Sequence, residues 1–259
     1  MTLVAITKSK AYGKIVACAD TRISGGSKLT EAGSKLFPLS ISIYNSKMSI
    51  IYRRAFGFAF AGSTLVAHSV FSFSSSALQG LRINKGGKVP SLEEIAKFVA
   101  VYAKEFIQEI GEVAPGQVNT EITIFGFCPV TERARLFKAA PEFQADHFDM
   151  QFGELDFQTD GICHLLGSKE AAADFVALAK GGREPAEAIQ EIIRSEKFAG
   201  VGGSVQVLTV DGSGARHLPV LYRTEGGGAV LKLLGKRIED YGNLGGCDFR
   251  NEAWGVLDE

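Results

Sequence analysis

Apolar and polar residues alternate through the first third of the chain in short runs, separated by Gly, Ser and Asn clusters that make turns. The pattern predicts strands at 3–7, 14–19, 36–44, 48–53 and 56–61, an antiparallel region built from hairpins. Residues 64–81 then take a helical spacing, with Leu65, Phe71, Phe73, Leu78 and Leu81 as the apolar material. A second helix is predicted from Ser91, where Ser91 and Glu94 have capping-box spacing and Ile95, Phe98, Val99, Tyr102, Phe106 and Ile110 fall near one face. Strands return at 121–128 and 134–139, followed by a less regular stretch and a short strand at 162–166. Two helices follow at 169–180 and 185–196, the second opening on Pro185, which suits a first helical turn. A final hairpin, 204–210 with 216–221, turns on Asp211-Gly212-Ser213-Gly214.

This order of strands, two helices, strands, two helices, strands favours two antiparallel sheets with helices packed outside them over the alternation of a parallel α/β fold. The 259 residues are enough for one large domain. No internal repeat is visible, and Gly226-Gly227-Gly228 introduces a tail rich in Gly and charge.

Charge and composition mainly exclude. A formal net charge of −1, with Lys and Arg scattered, argues against nucleic acid and membrane surfaces as partners. The N-terminus lacks the basic lead and long apolar stretch of a secretion signal, and no apolar run is long enough for a membrane span, so a cytoplasmic location is expected. Cys18, Cys128, Cys163 and Cys247 are far apart and read as reduced thiols. No metal or cofactor is expected, because the Cys and His spacings match no zinc pattern and no phosphate-binding glycine loop follows the early strands. Gly25-Gly26 reads only as a turn.

His68, His147, His164 and His217 stand in no catalytic context, and the chain has no G-x-S-x-G elbow. The remaining candidate nucleophile is Thr2. A threonine hydroxyl needs a base, and an N-terminal residue carries its own, an α-amino group with a pKa of about 7.7 to 8.0. A nearby cation holds that amine partly neutral. Asp20 closes the second predicted strand and Lys35 opens the third, so strands lying beside the first would bring both side chains to the Thr2 end.

The run Thr2-Leu3-Val4-Ala5-Ile6, then Ala19-Asp20-Thr21-Arg22, Ser34-Lys35-Leu36 and Phe60-Ala61-Gly62-Ser63, resembles the N-terminal half of proteasome β and HslV subunits and their bacterial homologues. Gly202-Gly203-Ser204-Val205-Gln206-Val207-Leu208 with Asp211-Gly212 resembles the family's late hairpin, and Gly167-Ser168 the position of a serine near the active threonine. The likeness spans about residues 2 to 221. It departs from the family in a longer hairpin over 38–54, and in Phe198 and Val201, which stand where the proteasome branch has an aspartate and a serine.

The resemblance implies an αββα four-layer Ntn-hydrolase fold over residues 2–222, with 223–259 as an extension of unknown role. It implies a threonine-type endopeptidase acting once Met1 is removed, with no longer propeptide expected. Thr2 would supply hydroxyl and amine, Lys35 would tune the amine, Asp20 would orient Lys35, the Gly62 N–H would face the oxyanion, and Ser168 would help position the proton. Arg22, Ile23, Ser24, Phe60 and Ser63 would contact substrate. Ile23, Gly33, Phe37, Phe60 and Thr64 would line a pocket for small or apolar side chains. The implied assembly is a homo-oligomeric ring that degrades peptides or unfolded proteins, with an ATP-dependent unfoldase as a possible partner. The rival readings are a small-amide acylase of the same fold and an inactive structural ring subunit.

Overall fold

The computed structural model describes residues 2–9, 13–24, 27–144, 147–157, 163–224, 226–238, 243–244, 247–248 and 253–258. Met1, Gly25-Gly26 and Ile162, on which sequence expectations fell, lie outside the described residues.

The chain opens with β1 (Leu3–Ser9), β2 (Lys14–Asp20), β3 (Ile23–Ser24), β4 (Lys28–Thr30), β5 (Leu36–Tyr44) and β6 (Ile50–Gly62). The helix α1 (Thr64–Leu78), the short β7 (Leu81–Arg82) and the helix α2 (Leu92–Val113) follow, then β8 (Thr120–Phe127), β9 (Ala134–Phe143), β10 (Phe148–Leu155) and β11 (Cys163–Gly167). Next come α3 (Lys169–Lys180) and α4 (Pro185–Arg194), then β12 (Val205–Asp211), β13 (Gly214–Leu218) and β14 (Val220–Arg223). The last strands are β15 (Ala229–Leu233), β16 (Lys236–Arg237), β17 (Asn243–Leu244), β18 (Cys247–Asp248) and β19 (Trp254–Asp258).

The Ser91 capping box forms as the sequence predicts: Ser91 Oγ accepts from Glu94 N at 3.2 Å, and Ser91 N donates to Glu94 Oε2 at 2.7 Å. The two strands predicted at 48–53 and 56–61 are one continuous strand, β6, because the intervening Arg54 and Ala55 stay paired with Ile41 and Ser40. The irregular stretch after 139 is a hairpin, β9 with β10, in which half-buried Phe148, Met150 and Phe152 alternate with exposed Asp149, Gln151 and Gly153, a strand signature that sequence reasoning missed.

Two large sheets dominate. One has the order β11-β1-β2-β12-β13 and the other β10-β9-β8-β6-β5-β7. Val4, Ile6, Ala17, Ala59, Phe125 and Leu208 belong to a cluster shared by these sheets. A second cluster packs α1 and α2 on the six-stranded sheet through Phe56, Phe58, Phe60, Val66, Val70 and Val99. A third packs α3 and α4 on the five-stranded sheet through Leu3, Val16, Cys18, Phe175, Ile189 and Val207, joined by Tyr222 and Leu257.

The expected αββα four-layer sandwich does not describe this chain. Its described residues are 45% strand and 27% helix, and its described strands are divided among five sheets. The physical reason lies after Leu218, where β14 leaves the five-stranded sheet and pairs with β15 and, in parallel, with β19. The last segment thereby satisfies its backbone in a four-stranded sheet of its own, order β16-β15-β14-β19.

Candidate active site

The pairing of β1 with both β2 and β11 fixes the surroundings of Thr2. Leu3 lies opposite Gly167, and Val4 lies between Leu166 and Ala19. Thr2 is 5% exposed, and its carbonyl accepts from Ser168 N at 2.9 Å. Asp20 ends β2 beside this point, and Lys35 immediately precedes β5.

Asp20 is fully buried, and its carboxylate accepts four hydrogen bonds. Oδ1 receives Lys35 Nζ at 2.7 Å and Leu3 N at 3.0 Å. Oδ2 receives Gly202 N at 3.1 Å and Arg22 N at 3.2 Å. A buried charge is tolerated only with this degree of pairing. Lys35 is 1% exposed. Burial lowers its pKa from the ordinary lysine value, against the opposing pull of Asp20, and the positive charge of Arg22 adds to the lowering.

Two glycines admit no side chain here. Gly167 has φ +100°, and a Cβ on it would lie 1.9 Å from the Thr2 carbonyl oxygen and 3.4 Å from Ala61 Cβ. That spacing brings the end of β6 against the Thr2 segment. Gly62, next to Ala61, has φ +106°, and a Cβ there would fall 2.2 Å from Asn119 O.

The sequence-predicted residues therefore divide. Thr2, Asp20, Lys35 and Ser168 come together around one end of β1, and Gly62 follows the adjoining Ala61. Ser168 is also the N-cap of α3: its Oγ accepts from Ala171 N at 3.3 Å and donates to Glu170 Oε2 at 2.9 Å. Ser63 caps α1, its Oγ accepting from Val66 N at 3.3 Å. Arg22 pairs with Glu31 at 3.0 Å and donates to Ala199 O at 3.2 Å and Val201 O at 3.3 Å, which braces the turn before Gly202. That pairing lowers the Glu31 pKa.

Ile23 and Ser24 are half-buried in β3, and Ile23 fills the space over Gly33, where a Cβ would lie 2.1 Å from Ile23 Cδ1. Phe60 is 1% exposed. Its ring stacks on Phe37 at 6.4 Å and meets His68 edge-on at 5.7 Å, within the core beneath α1. Phe198 and Val201 are buried in the cluster against α3 and α4, so the turn before Gly202 is apolar.

Sequence reasoning missed Gln206. Its Oε1 accepts from Lys35 N at 3.0 Å and Leu36 N at 3.2 Å, and its Nε2 donates to Asp20 O at 2.9 Å. It also missed Thr21, whose Oγ1 donates to Glu31 O at 2.6 Å and accepts from Ser204 N at 2.7 Å. The available signal for Gln206 was a lone amide between Val205 and Val207 in a buried strand. Among the described residues no group of His, Cys, Asp and Glu could hold a metal ion, and no helix is long and apolar enough to cross a membrane.

No family model and no curated protein matches this sequence. Among solved structures it is similar to Anbu (ancestral beta-subunit) from Yersinia bercovieri, with 17% identity, 81% of each chain covered and a TM-score of 0.55. That similarity is one of fold. The membership in the proteasome β and HslV family expected from the motifs is corrected accordingly: short runs around Thr2, Asp20 and Lys35 resemble that family, but no family model matches the chain and the solved-structure likeness, at 17% identity, is one of fold alone.

Proposed function

We propose that this chain is the catalytic subunit of a threonine peptidase, with Thr2 as nucleophile once all that precedes it has been cleaved away. The observation that carries the reading is the buried Asp20–Lys35 pair at 2.7 Å, tied through Leu3 N to the residue that follows Thr2. An ion pair with so little exposure is costly to retain for stability alone, and the bond from Leu3 N to Asp20, one residue on from Thr2, supports a role for its charge at the Thr2 amine.

In this mechanism the freed α-amino group takes the proton from Thr2 Oγ1 as the oxygen attacks a peptide carbonyl. The Lys35 cation disfavours a second positive charge and keeps the amine basic yet unprotonated. Asp20 holds Lys35 in place. The backbone N–H of Gly62 faces the developing oxyanion, where one donor contributes about 3 kcal/mol. The amine passes the proton to the leaving nitrogen, leaving an ester on Thr2. Water hydrolyses that ester and regenerates the hydroxyl. Ser168 positions the Thr2 backbone through its N–H. Substrates are peptides or unfolded proteins, and the working form is a homo-oligomeric ring, a reading supported by likeness to a protein whose name describes a β-subunit.

A second reading, an inactive structural subunit, draws on the Ser168 hydroxyl being engaged by Ala171 and Glu170, which leaves it less free to relay a proton. Intact-mass spectrometry of protein treated with an epoxyketone, which bonds to hydroxyl and amine together, separates the two. The peptidase reading expects a chain beginning at Thr2 and one adduct, abolished in Thr2→Ala. A chain that keeps Met1 and takes no adduct supports the structural subunit.

A further inference from the structure

Far along β1 from Thr2, roughly 17 Å for five extended residues, a cavity of about 710 Å³ opens on the outer face of the five-stranded sheet. Strand register builds its floor. Thr7 lies opposite Val16, Val16 opposite Thr209, and Thr209 opposite Arg216, so these four side chains share one face, and Lys14 lies two residues along β2 on that face. The first turn of α4, Glu184 to Glu187, forms one wall, and Leu218 with the β19 residues Trp254, Val256 and Leu257 forms the apolar other. The volume suits a small molecule.

Thr209 is 2% exposed, lines the cavity, and its Oγ1 has no hydrogen-bond partner among the described residues. A hydroxyl buried without a partner is unfavourable, and one at the floor of a cavity is relieved by a ligand that bonds to it. Charge is distributed by sign. Lys8, Lys14 and Arg216 border the floor, Lys14 lying 3.6 Å from Asp211, whereas Glu184 and Glu187 stand at the α4 wall. A simple anion would meet the two carboxylates and a simple cation the three bases. A molecule carrying both charges meets each at its own side.

We propose that this cavity binds a small zwitterion, a free amino acid or a short peptide with uncapped termini. Its carboxylate lies by Arg216, Lys14 and the Thr209 hydroxyl, its ammonium by Glu184 and Glu187, and its apolar side chain against Leu218 and Trp254. The proposal does not depend on chemistry at Thr2.

The chain contains a single tryptophan, so emission from Trp254 reports occupation of this cavity directly. Full-length Thr2→Ala protein, which cannot turn over substrate by the proposed route, is titrated with alanyl-leucine, N-acetyl-alanyl-leucine and alanyl-leucinamide, with calorimetry alongside. The expected result is a saturable emission change with the free dipeptide and about 10-fold weaker binding of each capped form. Thr209→Val should weaken the dipeptide about 10-fold, in line with loss of a hydrogen bond to a charged group. Glu187→Gln, which keeps a residue able to cap α4, should reduce the preference for the free over the acetylated amine. No saturable change, equal binding of the capped forms, or a folded Thr209→Val that binds like the parent would overturn the proposal. Should Thr209→Val not fold, an unaltered amine preference in Glu187→Gln overturns it equally.

Discussion

The two large sheets bury different chemistry. The six-stranded sheet turns Phe56, Phe58 and Phe60 toward α1 and α2, and the buried polar side chains of its strands are the hydroxyls of Ser42, Thr120 and Thr123. The five-stranded sheet buries Asp20, Gln206 and Thr209 in its own strands and takes Thr21 and Lys35 against its end. Aromatic burial stabilises without conditions, whereas a buried polar network stabilises only while every member is present. The first sheet therefore serves as the platform, and the second carries groups whose retention points to use.

Removing one member of the network should show this most clearly. Lys35→Ala leaves Asp20 with three backbone donors and no counter-charge, which should cost about 3–5 kcal/mol in urea unfolding and abolish epoxyketone labelling in the molecules that remain folded. If stability is lost but labelling survives, the pair is structural and Thr2 has another activating group. On the other sheet, Phe58→Ala should cost a similar 3–5 kcal/mol through cavity formation, while labelling per folded molecule stays unchanged. A parallel loss of labelling would show that the two sheets are not separable as platform and site.

Acid should sharpen the contrast next. Burial pushes the His217 pKa down to about 4 from the ordinary 6.5, against hydrogen bonds to the backbone of Val207 and Leu36. Below 6.5 the unfolded chain takes up a proton that the folded chain refuses. Stability is thus lost as pH falls from about 6.5 toward 4, by about 3 kcal/mol over the window from this group. Unfolding midpoints measured across that range test it, and His217→Phe should flatten the dependence. The smallest expected effect is that of Gln206→Leu, about 1–3 kcal/mol, since the N–H groups of Lys35 and Leu36 and the carbonyl of Asp20 lose their partner. Labelling should slow as Lys35 shifts. An unchanged rate would limit Gln206 to a scaffold role.

Legibility in the sequence followed locality. Leu36–Tyr44 and Lys169–Lys180 have the bounds that their patterns predict, and the Ser91 capping box forms as written, because each depends on residues a few positions apart. The hairpin of β9 and β10 was legible only in part: Phe148, Met150 and Phe152 alternate with exposed Asp149, Gln151 and Gly153, a strand signature that was overlooked, whereas Pro141 and exposed Glu142 and Phe143 blur the end of β9. The four-stranded sheet was illegible because it joins Val220–Arg223 to Trp254–Asp258, a pairing in parallel that no short-range signal encodes.

The same division holds for the candidate site. By itself the sequence determined the local elements, the caps, and a set of residues of suitable chemistry in Thr2, Asp20 and Lys35. Only the tertiary structure decided that Asp20 answers to Lys35, Leu3, Arg22 and Gly202 at once, that Gln206 clasps the backbone on either side of that pair, and that Arg22 is spent on Glu31 and a turn. These contacts join residues up to 186 positions apart. Their energies depend on burial, which a strand acquires only when the neighbouring strands and the opposite sheet close over it.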